Sequence, residues 1–298
     1  MATAKMHDGQ IEPTTDLVRR LLETQFPDLS DLPIQPLAES GTDHALYRLG
    51  DGLVARLPII DRAVDQAESD RRWLPMLEPH LTLPIPVPVA VGQPGEGYPW
   101  PWSVVPWIAG EIPKGDNLDL ASAAVDLAQF VKALHGIPTA GGPVKSGTTR
   151  GVFLGNLDGG IRPLIEELQN EIDATAVTRV WDAAVAAPRW DAPLVWIHGD
   201  IQPGNLIVRE RRLAAVIDFS GLGLGDPAPD LAPAWNLLDQ GTRAIFRNTI
   251  GYDDATWARG KGWVLAPALQ GLRYYRSTRP DFVVAARHQI DAVLADRT

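Results

Sequence analysis

The spacing of apolar residues changes character about a third of the way along the chain. Thr14 or Thr15 caps a predicted helix running through Phe26, with Leu17, Val18, Leu21 and Leu22 on one face. Short apolar runs follow at Ile34–Leu37, Ala45–Leu49 and Leu53–Leu57, and they predict strands. Gly50-Asp51-Gly52 separates the last two and predicts a hairpin. Asp65–Leu77 returns to a helical period. Leu83–Val89 alternates with proline and is predicted extended, because a residue before proline is pushed out of the α region. Trp102–Trp107 is a further predicted strand. Beyond Gly110 the helical period dominates: Leu118–His135, Ile161–Ala174, Ala176–Ala187 and most of the chain after Asp230, with a Gly/Pro/Thr loop at 137–152. A strand-rich first third before a helix-rich remainder predicts an α+β protein with two lobes, 1–108 and 109–298.

The segment Leu194–Val208 interrupts this pattern with chemistry. An apolar run ends at His198, a polar loop carries Asp200 and Asn205, and a second apolar run follows. A hairpin at Arg209–Arg212 leads to Ile217-Asp218-Phe219. Three oxygen-bearing side chains, Asp200, Asn205 and Asp218, thus stand at the ends of buried strands. Phosphoryl transfer needs such a group: one carboxylate orients the attacking hydroxyl, while a carboxylate and an amide hold magnesium against phosphate oxygens. Asp200 and Asn205 have the spacing of a kinase catalytic loop, and Asp218-Phe219 matches the kinase metal-binding pair, with Ser220 where kinases carry glycine. Isolated Asp and Asn residues usually serve turns; this spacing favours catalysis. No second ligand at zinc-site spacing accompanies His198, so its expected role is to orient the loop by hydrogen bonding. Gly221–Gly225 has the wrong spacing for a dinucleotide fingerprint and reads as a turn. His44 and His135 receive no role.

His198-Gly199-Asp200, Asn205, Ile217-Asp218-Phe219 and Gly225-Asp226-Pro227 with Asp230-Leu231-Ala232 together resemble the aminoglycoside phosphotransferase family, and the likeness extends upstream to Leu127–His135 and Leu83–Val89. The resemblance implies a bilobal protein-kinase-like fold, with a small β-rich lobe binding nucleotide and a larger helical lobe holding catalysis and acceptor. It implies Asp200 as catalytic base, Asn205 and Asp218 as magnesium ligands, and Asp230 as a buried acid tying the catalytic loop. ATP or GTP is the implied co-substrate and a small hydroxylated molecule the acceptor. Alternatives left open are a metabolite or macrolide-type acceptor, a protein kinase, or an inactive nucleotide-binding module. A protein kinase lacks support because no A-P-E segment follows Asp218-Phe219.

No Walker-type sequence is present, so the phosphates need another clasp. Ser40, Gly41 and Thr42 between two predicted strands are the candidate, although such a run is also an ordinary turn. Arg56 stands on the third strand, where kinases keep a phosphate-holding lysine, and Glu68 on the next helix is its expected partner, with Asp70 the alternative. By resemblance, backbone groups near Val105 and Trp107 bind the purine edge; Pro106 has no N–H to give.

Composition narrows the partners. The chain has no cysteine, which excludes disulfides and thiolate chemistry. A net charge of −10 argues against nucleic acid. No apolar run approaches the roughly 20 residues that span a bilayer, and Met1–Glu12 is polar, so a cytoplasmic protein is expected. Oligomeric state is not legible. Residues 109–298 hold 22 acids and 19 bases, so this part is not markedly acidic, as a polycation-binding lobe should be. Glu166, Glu167, Glu171 and Asp173 form one local acidic cluster, read either as a lining of the acceptor cleft or as a solvated helix face. Trp181, Trp190, Trp235, Trp257 and Trp263 would suit a less charged acceptor.

Overall fold

A computed structural model describes residues 10–37, 43–139 and 141–297. The chain divides into two compact units: one runs to Ala109 apart from residues 80–83, and the other takes 80–83 and everything from Gly110.

In the first unit, helix α1 (Thr15–Gln25) is capped by Thr14, whose hydroxyl accepts from the Leu17 N–H at 3.2 Å. A single turn, α2 (Pro27–Ser30), follows it. Strands β1 (Ile34–Pro36), β2 (His44–Leu49), β3 (Leu53–Pro58), β4 (Ala90–Gly92) and β5 (Trp102–Pro106) form one antiparallel sheet in the order β1-β2-β3-β5-β4, and helix α3 (Gln66–Leu77) links β3 to β4. Leu49 pairs with Leu53, which closes the predicted hairpin over Gly50 at φ +53°. The core packs Val18, Leu21 and Leu22 of α1 against Tyr47, Leu49, Ala55, Leu57, Trp102 and Val104 of the sheet. Residues 84–88 have no regular structure. Strand β4 was not foreseen: three residues carry too little alternation to stand out beside the proline run.

The second unit contains helices α4 (Leu120–His135), α5 (Asp158–Glu167) and α6 (Ala174–Ala186), strands β6 (Val195–Ile197), β7 (Leu206–Arg209), β8 (Arg212–Val216) and β9 (Gly223–Gly225), then helices α7 (Pro233–Asn236), α8 (Gln240–Ile250), α9 (Asp254–Tyr274) and α10 (Pro280–Ala295). Two small antiparallel pairs, β6 with β9 and β7 with β8, hold the chemistry-bearing loops. Helix α9 is the spine, packed against α6 and α10. Helix α5 stops at Glu167 rather than running to Ala174, because Asp173 caps α6 by accepting from the Ala176 N–H at 2.9 Å.

The acidic cluster is therefore split. Glu167 pairs with Arg273, Glu171 pairs with Arg276 and Arg287, and Asp173 is a cap. Those ion pairs fasten α5 and its following turn to α9 and α10. Most of the tryptophans are core: Trp181 donates to Asp158, while Trp235 and Trp257 both donate to Asp296. Among the described residues no helix is long and apolar enough to cross a membrane.

Candidate active site

The catalytic loop leaves β6 at His198-Gly199-Asp200, and its path is set by backbone hydrogen bonds to one buried acid. Asp230, fully buried, accepts from the His198 N–H at 2.9 Å and the Gly199 N–H at 2.6 Å, while His135 Nε2 lies 3.0 Å from its carboxylate. Burial pushes this carboxyl up, but the hydrogen bond and charge of His135, the nearby His198 and the Gly199 N–H outweigh it and hold Asp230 below the usual carboxylate range. Gly199 has φ +79°, and a Cβ there would stand 2.8 Å from the Gly221 carbonyl oxygen. The loop passes so close to the Asp218 turn that only glycine fits.

The His198 imidazole couples the two loops. Its Nδ1 accepts from the Asp200 N–H at 3.1 Å, so its Nε2 carries the proton and donates to the Ile217 carbonyl at 3.1 Å; the ring lies 4.6 Å from that of Phe219. His135 does the same one layer out, with Tyr252 Oη 2.8 Å from Nδ1 and Asp230 on Nε2. Sequence reading gave His135 no role, since nothing local links it to a residue 95 positions away.

Asp200 is held and partly exposed. Its Oδ2 accepts from Gln202 at 3.2 Å and from Asn205 Nδ2 at 3.3 Å, and Asn205 Nδ2 also donates to the Asp200 carbonyl at 2.9 Å. Because the amide nitrogen is committed to Asp200, the Asn205 Oδ1 is turned away from that carboxylate. The Ile217 N–H donates to the Asn205 carbonyl at 2.9 Å, which places Asp218 directly beyond Asn205 across the β7–β8 hairpin. Asp218 adopts φ +61°, ψ +75°, a left-handed conformation that Asp tolerates better than most side chains. Its Oδ1 accepts from the Ser220 N–H at 3.4 Å.

No group of three His, Cys, Asp or Glu able to hold a metal occurs among the described residues. The pair Asn205 and Asp218 is an oxygen-only set of one amide and one carboxylate. That fits magnesium, which keeps several waters and takes one or two protein oxygens beside phosphate.

Sequence reading missed Arg150. Its Nη1 lies 2.5 Å from Asp200 Oδ1 and donates to the Gly199 carbonyl at 3.1 Å. It sits in a Gly/Pro/Thr loop with no motif of its own. It also missed Arg259 of α9, whose guanidinium grips the buried Asp226 through Nε–Oδ2 at 2.6 Å and Nη2–Oδ1 at 3.2 Å. The Asp226 to Asp230 segment thus has one acid anchoring it to α9 and one acid shaping the catalytic loop.

In the first unit, Arg56 pairs with Asp70, at 3.4 Å, and not with Glu68. The helix register decides this: Asp70 lies on the inward face of α3 with its side chain 1% exposed, while Glu68 points outward and binds Arg71 at 2.7 Å. The Trp107 N–H donates to the Gly52 carbonyl at 2.8 Å, so the ladder consumes the donor expected for a purine, and its ring carries Arg48 at 4.1 Å. Val105 lies in register with Val54 of β3. Ser40, Gly41 and Thr42 lie outside the described residues.

An α+β chain with a five-stranded antiparallel sheet in one unit, and a helical unit carrying this Asp–Asn–Asp arrangement, has the fold class of protein-kinase-like small-molecule phosphotransferases. The profile of the phosphotransferase enzyme family matches residues 34–263, and the chain belongs to that family. An aminoglycoside 3'-phosphotransferase of Escherichia coli is 30% identical over 117 residues, covering 38% of this chain and 42% of that relative, so the match spans less than half of its length. The solved GDP complex of aminoglycoside 2'-phosphotransferase-IIIa superposes with a TM-score of 0.71 at 20% identity, over 95% of this chain and 99% of that one. A macrolide 2'-phosphotransferase from Brachybacterium faecium superposes with a TM-score of 0.61 at 20% identity, over 95% and 98%. At these identities the superpositions establish the fold.

Proposed function

We propose that this chain transfers the γ-phosphoryl group of ATP or GTP to a hydroxyl of a small molecule. The observation that carries the reading is the meeting of Asp200, Asn205 and Asp218 on two loops locked together by His198 and Asp230. Asp200 accepts a hydrogen bond from the acceptor hydroxyl and takes its proton as the oxygen attacks the γ-phosphorus. The new O–P bond forms as the bond from the γ-phosphorus to the β–γ bridging oxygen breaks, and the nucleoside diphosphate leaves with that electron pair. Asn205 Oδ1 and Asp218 would hold magnesium, which when bound neutralises charge on the phosphates. Arg56, held beside the buried Asp70, would supply a guanidinium to the phosphates. Ser40, Gly41 and Thr42, and the backbone around Val105, complete the proposed nucleotide site.

Family membership supports the reaction type, and the similar GDP complex of aminoglycoside 2'-phosphotransferase-IIIa supports a purine nucleotide donor. The acceptors of similar structures include aminoglycosides and macrolides, so antibiotic inactivation is one form this activity would take. The test is release of nucleoside diphosphate with magnesium across a panel of hydroxylated acceptors. Asp200→Asn should lower kcat by roughly 10²-fold or more while leaving nucleotide affinity nearly intact. Equal turnover by wild type and variant would remove Asp200 from the role of base.

A further inference from the structure

The second unit contains two neighbouring cavities, of about 300 Å³ and 280 Å³, whose walls both draw on residues 145–151 and share Asn156. Their charge is one-sided. The first includes Arg150 and Trp263 in its lining and no carboxylate. The second is lined by Lys145, Arg189 and Arg259, with Asp226 as its sole acid, and that acid is already gripped by Arg259. None of Glu166, Glu167, Glu171 or Asp173 lines either cavity.

Two donors in these walls have no acceptor among the described residues. The Trp263 indole N–H is buried, in a residue 3% exposed, and has no hydrogen-bond partner. The Lys145 residue is half-buried, with its stem against Gly223, and among the described residues its ammonium feels the charge of Asp230 without an ion pair or hydrogen bond. Burial lowers its pKa, Asp230 raises it and Arg150 lowers it, so the two cations of this loop feel each other.

The loop itself is pinned. The Lys145 N–H donates to the Leu224 carbonyl, the Leu224 N–H to the Pro143 carbonyl, and the Asp226 N–H to the Gly151 carbonyl. Lys145 and Arg150 are therefore presented from fixed backbone. Arg150 joins the first cavity to the reacting centre, since the same guanidinium touches Asp200 and forms part of the cavity wall. With five N–H donors it can hold Asp200 and a ligand oxyanion together.

We infer that the acceptor is a hydroxylated small molecule carrying an oxyanion, a carboxylate or a phosphate, seated on Arg150 and Lys145 with its hydroxyl at Asp200. This rests on the phosphotransferase reading for the reaction, but the anion site itself does not need turnover. A polycationic acceptor would meet Lys145, Arg150, Arg189 and Arg259 here, while the nearby carboxylates Asp200 and Asp226 are each already paired with an arginine.

Two measurements separate the claims. The first is calorimetric binding of glycerol phosphate and of gluconate to the full chain without nucleotide. Binding of at least one is expected, weakened about tenfold or more by Lys145→Gln, as for loss of a charge-assisted contact, and retained by Lys145→Arg. No binding of either probe, or binding indifferent to Lys145→Gln, overturns the inference whatever the enzyme's activity. The two probes distinguish a phosphate from a carboxylate ligand. The second is acceptor-dependent nucleotide turnover with sugar phosphates, hydroxy acids, neutral sugars and aminoglycosides. Preference for an anionic acceptor, with its KM raised by Lys145→Gln and nucleotide KM unchanged, supports the assignment. Efficient turnover of an aminoglycoside in preference to every anionic acceptor overturns it while leaving the phosphotransferase reading standing. Anion binding without any turnover sustains the site and counts against that reading instead.

Discussion

The segment His198–Asp230 and the loop at 141–152 contribute to one site by opposite means. In the first, side chains and backbone are cross-tied at short range: Asp230 holds two N–H groups of the catalytic loop, His198 binds both Asp200 and Ile217, and Asn205 binds Asp200. Each of these needs a particular residue type at a particular spacing, and the spacing is visible as a motif. The loop at 141–152 is held mainly through its backbone, by bonds to Leu224 and Asp226, which ask for glycine at Gly142 and Gly151, where a Cβ would meet Trp196 at 2.8 Å and Ile197 at 2.4 Å, and for little at its other positions.

Breaking the first region should have the largest effect. Gly199→Ala puts a Cβ 2.8 Å from the Gly221 carbonyl oxygen at a φ of +79°, so the catalytic loop must move. Turnover is expected to fall by about 10²-fold or more, since small displacements of a positioned group have that consequence. Circular dichroism should show the variant still folded. Gly204→Ala, where a Cβ meets nothing within 4 Å, is the control and should stay close to wild type in kcat.

Asp230→Ala comes next. It leaves the His198 and Gly199 N–H groups buried without acceptors, at about 1–3 kcal/mol each, so a stability loss of roughly 2–5 kcal/mol is expected by denaturant unfolding. The pH dependence follows from the lowered pKa of Asp230. A depressed folded-state pKa contributes stability that is present above the unfolded carboxylate value, near about 4, and is lost as pH falls below it. The stability gap between wild type and Asp230→Asn should therefore narrow as pH is lowered through that range.

Changes to the second region should move acceptor kinetics and little else. Arg150→Ala is expected to raise acceptor KM about tenfold, because the guanidinium lies against Asp200, where the acceptor hydroxyl is proposed to sit. Nucleotide KM should stay within experimental error. An effect confined to nucleotide KM would sever Arg150 from the acceptor side.

The smallest contrast sharpens the first unit. Arg56→Ala should raise nucleotide KM and lower kcat together, and Asp70→Asn should follow it part of the way, since the Asp70 side chain is buried against Arg56. Glu68→Ala should be silent, within about 0.5 kcal/mol in stability and unchanged in kinetics, as expected for an exposed ion pair with Arg71.

These contrasts also explain what could be read from the sequence. The helices α1 and α4 and the hairpins at Gly50–Gly52 and Arg209–Arg212 were legible because their signals are local: a capping Thr14, a 3.6-residue period, turn residues between apolar runs. The placing of Asp200, Asn205 and Asp218 on two neighbouring loops was legible because loop geometry fixes their spacing. The Arg56 partner fell two residues away from expectation because periodicity places a helix face only to within a residue or two. The Trp107 N–H is spent on the Gly52 carbonyl, as suits a residue inside the predicted strand 102–107, so that donor is taken by the sheet. His135, Arg150 and Arg259 join the site from 95, 50 and 33 positions away, and no local rule points from one partner to the other.

The proposed role of Asp200, as base for phosphoryl transfer to a hydroxyl and not to water, is tested most directly by supplying nucleotide labelled on the γ-phosphate, with magnesium and the acceptor panel, and following where the label goes. Wild type should place the label on an acceptor hydroxyl in step with nucleoside diphosphate release, and Asp200→Asn should lose that transfer while still binding nucleotide. Label appearing only as inorganic phosphate, or transfer that survives Asp200→Asn undiminished, would contradict the account.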